Sequence, residues 1–182
     1  MNPHAGIRPV RDGDWPAVAA LEAEAYAGTS LSEGQAALES KGRISPGTCF
    51  VLDLGGRVTG YLLSLPYPRF QYPDLARTEE PVHHVSNLHL HDIVVAEDQR
   101  GRGWGSRLLA RLTDTARPAY EHISLVAVGG MAPFWASRGF RAHPEIRLCE
   151  SYGDDAVYMS TAVPGSGTGA TKEVARFPCP VS

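Results

Sequence analysis

The sequence lacks an excess of basic residues and any apolar run long enough to cross a membrane. Its 17 Lys and Arg stand against 20 Asp and Glu, for a formal net charge of -3. A nucleic-acid binder needs basic charge to displace counterions from phosphates. No apolar run approaches the roughly 20 residues of a transmembrane helix. We therefore expect no nucleic-acid partner and no association with a membrane.

Cysteine is also scarce, with three residues scattered at Cys49, Cys149 and Cys179. Because no Cys-x-x-Cys pair occurs, the spacing indicates neither a disulfide framework nor a zinc knuckle. The N-terminal segment lacks the apolar core of a secretory signal peptide. These absences favour a protein of the reducing cytoplasm.

The residues that are present suffice for one compact domain. Hydrophobic residues make up 43% of the 182, which is enough for a sizeable core. Residues 164–182 are rich in Gly, Ser, Thr and Pro, a composition typical of a tail. We therefore predict one domain over residues 1–163, followed by a tail.

Apolar periodicity predicts strands that alternate with helices. We expect strands at residues 7–10, 49–54, 58–65, 88–95, 123–128, from 140 onward and at 156–162, and helices at 18–26, 32–40, 103–116 and 132–137. The stretch from Pro66 to Pro81 is rich in proline and aromatic residues and has no period, as in long loops that carry function. The order indicates a mixed α/β fold.

A glycine-rich segment lies between the fourth predicted strand and the next helix. Its glycines are Gly101, Gly103 and Gly105. Glycines allow successive backbone N–H groups to point outward, and a helix N-terminus adds partial positive charge, so the segment suits a phosphate or pyrophosphate. Arg100 and Arg102 strengthen this preference. A tight turn that binds nothing is the alternative interpretation.

Missing residues exclude two other phosphate-binding loops. A P-loop requires Gly-Lys-Ser or Gly-Lys-Thr, yet the only lysines are Lys41 and Lys172. A dinucleotide-binding loop needs a third glycine where Ser106 stands, and an acidic residue at the end of the next strand, whereas Glu121 precedes one. Nucleoside triphosphate hydrolysis and nicotinamide cofactors are therefore disfavoured.

The glycine segment resembles the acyl-CoA signature of the GNAT N-acetyltransferase superfamily, and the stretch from Ala132 to Phe140 resembles that superfamily's late aromatic segment. The resemblance implies a strongly twisted mixed sheet, flanked by helices, whose splayed central strands admit the pantetheine arm of acetyl-CoA. Backbone groups of Ile93, Val94 and Val95 would bind the pantetheine. The other implied cofactor-binding residues are Arg100, Gly101, Arg102, Gly103, Trp104, Gly105, Ser106, Phe134 and Trp135.

Four of the seven histidines, His83, His84, His89 and His91, lie just before or within the fourth strand. Because side chains alternate along a strand, His89 and His91 should share one face, with Asp92 on the other. They could be structural, form half of a metal site, or relay a proton. An amine with a pKa of about 10 must lose a proton before it attacks a thioester. We expect His89 and His91 to be catalytic and no metal to be bound.

The segment His89-Leu-His-Asp-Ile-Val-Val95 is similar to the arylalkylamine (serotonin) N-acetyltransferases, in which a His-Leu-His pair passes the amine proton away through water. The stretch from Leu21 to Tyr26 resembles that family's early helix, where the aromatic residue contacts the acceptor. The likeness ends at Trp135, where those enzymes carry a tyrosine proposed to protonate the CoA thiolate. The candidates to replace this acid are Ser137, Tyr152 and Tyr158.

Aromatic residues predict where a small amine would bind. The candidates are Tyr26, Tyr67 and Phe70, with Tyr72 and the acids Asp74, Glu79 and Glu80 nearby in sequence. Such residues can surround an apolar body and a cationic amine, or they can fasten the long loop to the domain instead. Both interpretations stay open.

The sequence therefore predicts an acetyl-CoA-dependent N-acetyltransferase that acts on the primary amine of a small molecule, such as an arylalkylamine. The superfamily also acts on polyamines, antibiotics and protein amines. A non-catalytic acyl-CoA-binding or sensor module is the main rival. A metal-binding regulator that uses the four clustered histidines is a further alternative, and a homodimer is an open alternative to a monomer.

Overall fold

The computed structural model describes residues 5–75 and 77–165, and of the predicted tail residues 166–182 lie outside the described residues. The described strands are β1 (Ala5–Pro9), β2 (Phe50–Leu54), β3 (Arg57–Pro66), β4 (Asn87–Val95), β5 (His122–Ala127), β6 (Arg141–Ala142) and β7 (Val157–Ala162). The described α-helices are α1 (Trp15–Ala25), α2 (Gln35–Ile44), α3 (Trp104–Ala116) and α4 (Ala132–Ala136).

The strands form one mixed sheet in the order β1-β2-β3-β4-β5-β7-β6. Neighbouring strands run antiparallel except for β4 and β5, which are parallel. The helix α3 makes the crossover between these two parallel strands. The predicted mixed α/β fold, a sheet flanked by helices, is confirmed.

The two faces of the sheet bury different helices because adjacent residues of a strand point to opposite faces. Leu62 of β3 belongs to an apolar cluster that includes Leu108 of α3. Its neighbour Tyr61 belongs to a second cluster with Trp15 of α1 and Leu38 of α2. The sheet therefore separates α3 from the α1–α2 pair.

The central strands β4 and β5 separate after a short paired region. They pair only over Asn87–His89 and His122–Ser124. From Leu90 to Val95, β4 keeps β3 as its neighbour on one side, and none of the described strands pairs with it on the other. The splay predicted for the centre of the sheet is therefore present.

A β-bulge interrupts the pairing of β3 with β4. Leu63 pairs with Asp92, and the next residue of β3, Ser64, pairs with Leu90, so the register passes over His91. An extra residue in a bulge breaks the regular alternation of side chains. His91 is this extra residue.

The bulge places His91 and Asp92 on the same side of the sheet. His91 contacts Glu33, which lies between α1 and α2. Asp92 accepts a hydrogen bond from Tyr26, which directly follows α1. The prediction that Asp92 faces away from His91 is therefore wrong, because it assumed regular alternation through a position where the strand is bulged.

Candidate active site

A cleft of about 660 Å³ opens where β4 and β5 diverge. It is lined by β4 from Leu90 to Val95, by the end of β5, by the glycine segment with the first turn of α3, by α4 and by Tyr26. Small-molecule and cofactor sites typically occupy about 300 to 1,000 Å³. The cleft is therefore large enough to hold a cofactor arm together with a small second substrate.

The unpaired edge of β4 supplies backbone groups to this cleft. The carbonyl oxygen of Val94 lies 2.9 Å from the position that a Cβ atom on Gly60 of β3 would occupy. Val94 therefore turns its carbonyl toward β3, and only a glycine fits opposite it. Because backbone polar groups alternate along a strand, Ile93 and Val95 present theirs to the cleft. All three predicted pantetheine-binding residues line the cleft, and these two turn their backbone groups away from β3.

The glycine segment has the geometry that its sequence predicts. Gly101 and Gly103 have φ angles of +73° and +78°, values that favour glycine. Gly103 caps α3, which begins at Trp104. A Cβ atom on Gly105 would meet no atom within 4 Å. This open space at the N-terminus of a helix suits an anionic group that approaches the backbone closely.

Basic side chains surround the same end of the cleft. Arg100 lines it and donates from Nε to the carbonyl of Val95 at 3.1 Å. Arg138 lines it as well and donates to the hydroxyl of Ser106 at 3.2 Å. Arg102 is exposed and lies outside the lining. The positive charge at the cleft thus comes from Arg100 and from Arg138, which was not among the predicted residues.

Aromatic rings form part of the cleft wall. Phe134 and Trp135 of α4 both line it, and Trp135 packs edge-on against Phe134 and Phe140 at centroid distances of 5.2 and 5.4 Å. Trp104 also lines the cleft, and among the described residues its buried Nε1–H has no hydrogen-bond partner. Trp135 is therefore both a core residue and a wall of the site.

His89 is buried beside the cleft without lining it. Its Nδ1 lies 3.0 Å from the hydroxyl of Ser124, and its ring stacks on Tyr158. Burial, together with the neighbouring His91, lowers the pKa of His89 well below its ordinary value of 6.5. The rings of His89 and His91 are 6.4 Å apart between centroids. The structure thus brings the predicted pair together, and of the two only His91 is among the residues that line the cleft.

His91 belongs to a buried ionic cluster. Its Nε2 is hydrogen-bonded to the carboxylate of Glu33, which also accepts from the ammonium of Lys41. The three side chains are 1%, 4% and 0% exposed. Burial would raise the pKa of Glu33, but His91 and Lys41 outweigh it and lower that pKa below its ordinary value. Among the described residues, Nδ1 of His91 has no hydrogen-bond partner.

Asp92 holds two tyrosines on the same side of the sheet. The hydroxyl of Tyr26 donates to it at 2.6 Å, and the hydroxyl of Tyr61 donates to its other oxygen. Burial raises the pKa of Asp92 even though both donors oppose the shift. Burial and the Asp92 charge also raise the pKa of Tyr26. Tyr26 therefore enters the cleft lining as a neutral phenol in a fixed position.

Two of the predicted acceptor residues lie elsewhere. Tyr67 donates its backbone N–H to the carbonyl of Asn87 at 3.2 Å, and Phe70 donates its backbone N–H to the hydroxyl of Tyr158 at 2.8 Å. Neither side chain lines the cleft. Both contacts fasten the β3–β4 loop to the sheet, whereas contact of Tyr67 and Phe70 with an acceptor stays a prediction.

The three candidate acids are also engaged outside the cleft lining. Ser137 donates to the carbonyl of Phe134 at 2.7 Å, and Tyr152 donates to the carbonyl of Pro73 at 2.6 Å. The hydroxyl of Tyr158 accepts the loop N–H described above. Within the described part of the chain, Tyr26 is the one tyrosine that lines the cleft.

The four clustered histidines give little support to a metal site. His83 and His84 lie exposed in the loop before β4, whereas the side chains of His89 and His91 are buried. Residues 5–75 and 77–165 contain no group of three His, Cys, Asp or Glu side chains arranged to hold a metal ion.

In the same ranges, no helix combines the length and the apolar character needed to cross a membrane.

Sequence reasoning did not single out Glu33, Lys41 or Tyr61. Glu33 lies 58 residues before His91 in the chain, and no local pattern marks it as a partner. The packing of α1 against β3 and β4, and of α2 against β3, brings these groups together. Arg138 carries a weak signal, since it lies inside the aromatic segment that was recognised.

Solved structures of similar fold include one in complex with an acyl-CoA and one of a ribosomal-protein N-acetyltransferase. One is the GphF GNAT-like decarboxylase in complex with isobutyryl-CoA, at 20% identity over 87% of this chain and 99% of that chain, with a TM-score of 0.71. A second is the loading GNATL domain of CurA from Lyngbya majuscula, at 14% identity over 87% and 98%, with a TM-score of 0.71. A third is the ribosomal-protein-alanine N-acetyltransferase from Brucella melitensis, at 23% identity over 86% and 99%, with a TM-score of 0.62.

At these identities the structures establish similarity of fold alone. Curated proteins offer no match in sequence. The acetyltransferase (GNAT) family, in contrast, matches residues 15–140. This range includes the splayed strand β4, the glycine segment and α4, which together line the cleft. The chain therefore belongs to the acetyltransferase (GNAT) family.

Proposed function

We propose that this protein transfers an acetyl group from acetyl-CoA to the primary amine of a small molecule. One observation carries the proposal. The separation of β4 from β5 creates a single cleft that contains an unpaired backbone edge, a glycine-lined helix N-terminus and His91. These are a place for an amide-rich arm, a place for a pyrophosphate and a base.

The cofactor half of the cleft suits acetyl-CoA as co-substrate. The pyrophosphate binds at Gly101 to Ser106, where backbone N–H groups and the α3 N-terminus favour an anion. The pantetheine arm extends β4 as an added strand, hydrogen-bonded to Ile93 and Val95. The empty space at Gly105 supports this fit, because a side chain there would occupy the place of the phosphates.

His91 is the base in this proposal. It lines the cleft, and its Nδ1 is buried and has no hydrogen-bond partner among the described residues. A neutral imidazole nitrogen can accept the proton of an ammonium or of the attacking amine, and a water that enters beside the buried Nδ1 would carry the proton to it. His89, adjacent but outside the cleft lining, is the second member of the relay.

The amine nitrogen then attacks the thioester carbonyl carbon. A C–N bond forms, the C–S bond breaks, and the electron pair leaves on the CoA sulfur, which afterwards takes up a proton. A thiol with an ordinary pKa of about 8.5 is a fair leaving group without an acid. The indole of Trp135 supplies no useful proton, so Trp135 acts as a wall.

The acceptor is best placed beside Tyr26, as an amine with an apolar or aromatic body. Tyr26 lines the cleft together with His91, and Phe134 and Trp135 add further rings. Such surfaces favour flat apolar groups. The local resemblance of β4 to the arylalkylamine N-acetyltransferases supports the same class of acceptor.

The test is a panel of amines incubated with acetyl-CoA, in which thiol release and the mass of the product are followed. The panel holds arylalkylamines, polyamines, aminoglycosides and a peptide with a free N-terminus. Turnover of the arylalkylamines above the others supports the proposal. Tight binding of acetyl-CoA with no turnover of any amine would replace it with a non-catalytic acyl-CoA-binding module.

A further inference from the structure

Glu33 occupies an unusual place for a carboxylate. It lies between α1 and α2, and its side chain is 4% exposed, in contact with Lys41 and His91. Each buried ionisable group costs several kcal/mol to desolvate. Replacing a buried ion pair by well-packed apolar residues of similar volume is therefore often neutral or even stabilising. Stability therefore gives little reason for three such groups beside a cleft.

The chemistry of the contact decides which nitrogen of His91 carries the proton. The carboxylate of Glu33 accepts from the ammonium of Lys41, a contact that favours the ionised form, and its pKa is lowered although burial opposes the shift. An ionised carboxylate only accepts hydrogen bonds. Nε2 of His91, which contacts it, must therefore be the protonated nitrogen. In the neutral ring, Nδ1 is then left with a free lone pair.

We infer that Glu33 is a positioning residue, which selects the Nε2–H form as the uncharged tautomer of His91 and leaves Nδ1 as the proton acceptor. The inference rests on the proposed function, in which His91 is the base. Lys41 has a supporting part, because its ammonium contacts the same carboxylate and has only donors to offer.

Further contacts hold Glu33 in this position. Its backbone N–H donates to the carboxylate of Glu22, which also accepts from the hydroxyl of Ser32 at 2.8 Å. Lys41 donates in addition to the carbonyl of Arg77 in the β3–β4 loop at 3.2 Å. The arrangement connects the α1–α2 loop and the β3–β4 loop to the ring of His91.

The substitution Glu33→Gln should change the tautomer of the His91 ring. The amide of a glutamine has one oxygen and one NH₂ group. Because Lys41 only donates, the oxygen must face Lys41, and the NH₂ group is left to face Nε2 of His91. Nε2 must then accept, which transfers the ring proton to Nδ1 and leaves Nδ1 without a lone pair for the proton of the amine.

Long-range ¹H–¹⁵N spectra of the whole chain, without cofactor and at mildly alkaline pH, measure this directly. We expect His91 as Nε2–H in the wild type and as Nδ1–H in Glu33→Gln. The control Glu39→Gln alters a carboxylate of α2 that contacts Arg43, and it should leave the ring unchanged. An Nδ1–H ring in the wild type would overturn the inference, even if Glu33→Gln did not fold.

Kinetics separate positioning from a structural role. Glu33→Gln should lower kcat by roughly a hundredfold, the scale for loss of a general base, with the KM for acetyl-CoA unchanged. Glu39→Gln should keep wild-type kcat. A Glu33→Gln variant with His91 as Nδ1–H but with wild-type kcat would show that the tautomer of His91 does not affect catalysis. If the wild type has His91 as Nε2–H but turns over no amine, the proposed function is overturned. The inference that Glu33 determines the tautomer of His91 would still be supported.

Discussion

The two sides of β4 build the candidate site in different ways. On the α3 side, Ile93 and Val95 pack against an apolar cluster and offer their backbone to the cleft. On the α1–α2 side, His91 and Asp92 contact buried ionisable and phenolic side chains. The first side depends on backbone geometry that many sequences can adopt. The second side depends on particular side chains, and there we expect the reaction and its specificity to be determined.

The largest effect should come from breaking the backbone side, by Gly105→Val. Gly105 has no positive φ, and its missing Cβ would meet no atom within 4 Å, so the change adds bulk to the cleft without strain. At a hundredfold excess over Kd, acetyl-CoA should stabilise the wild type by about 2.7 kcal/mol. The variant should lose this stabilisation, measured as the shift in Tm.

A second glycine provides the control. A Cβ atom on Gly47 would also meet nothing within 4 Å, and Gly47 does not line the cleft. Gly47→Val should therefore keep the full shift of Tm with acetyl-CoA. Equal shifts in both variants would mean that the cofactor binds away from the glycine segment.

An effect of similar size, since a hundredfold change in rate corresponds to about 2.7 kcal/mol, should follow from changing the side chains on the α1–α2 side. His91→Gln should lower kcat by roughly a hundredfold near neutral pH with little change in the KM for acetyl-CoA, because it removes the proposed base. The loss should shrink at high pH, where the amine is already deprotonated. His89→Gln should cost less, because His89 does not line the cleft. Steady-state kinetics across pH check both, and a greater loss with His89→Gln would move the base to that residue.

The backbone side can be predicted from the sequence because its signals are local. The glycine segment follows a strand directly, and the helix expected at 103–116 is found at Trp104–Ala116. The other side gives no such signal. The bulge at His91 arises from the register with β3, and Glu33 comes from a distant loop. Which groups share a buried cluster depends on helix packing, which local periodicity does not determine.

The next prediction concerns stability rather than rate. Because the pKa of His89 is lowered below 6.5 in the folded protein, the unfolded chain binds a proton there that the folded chain does not. Stability should therefore fall as pH drops below that value, with a slope of up to about 1.4 kcal/mol per pH unit from this group. The raised pKa of Asp92 contributes the opposite slope at lower pH.

Denaturant unfolding over a pH series isolates the part of His89. His89→Gln should flatten the loss of stability below pH 6.5, the ordinary pKa of the group. His83→Gln, which alters an exposed histidine of the loop before β4, should keep the wild-type slope. A wild-type slope in His89→Gln would show that burial does not lower the pKa of His89. The contrast between the two sides of β4 in their buried ionisable groups would then be smaller than the structure indicates.

The smallest expected effect is at Trp135, where the comparison can be sharpened most. Trp135 is 7% exposed and packs between Phe134 and Phe140, so it belongs with the apolar elements of the cleft and not with its proton-transfer groups. Trp135→Tyr adds a phenol to the wall, and Trp135→Phe is its matched control without the hydroxyl. Both should lower Tm, because each leaves a space in the cluster, and neither should raise kcat. If protonation of the CoA thiolate limits turnover, Trp135→Tyr alone should be faster, and a tenfold gain would correspond to about 1.4 kcal/mol of transition-state stabilisation. That gain would show that the natural enzyme lacks a general acid at position 135. The rate of the reaction would then depend on groups on both sides of β4.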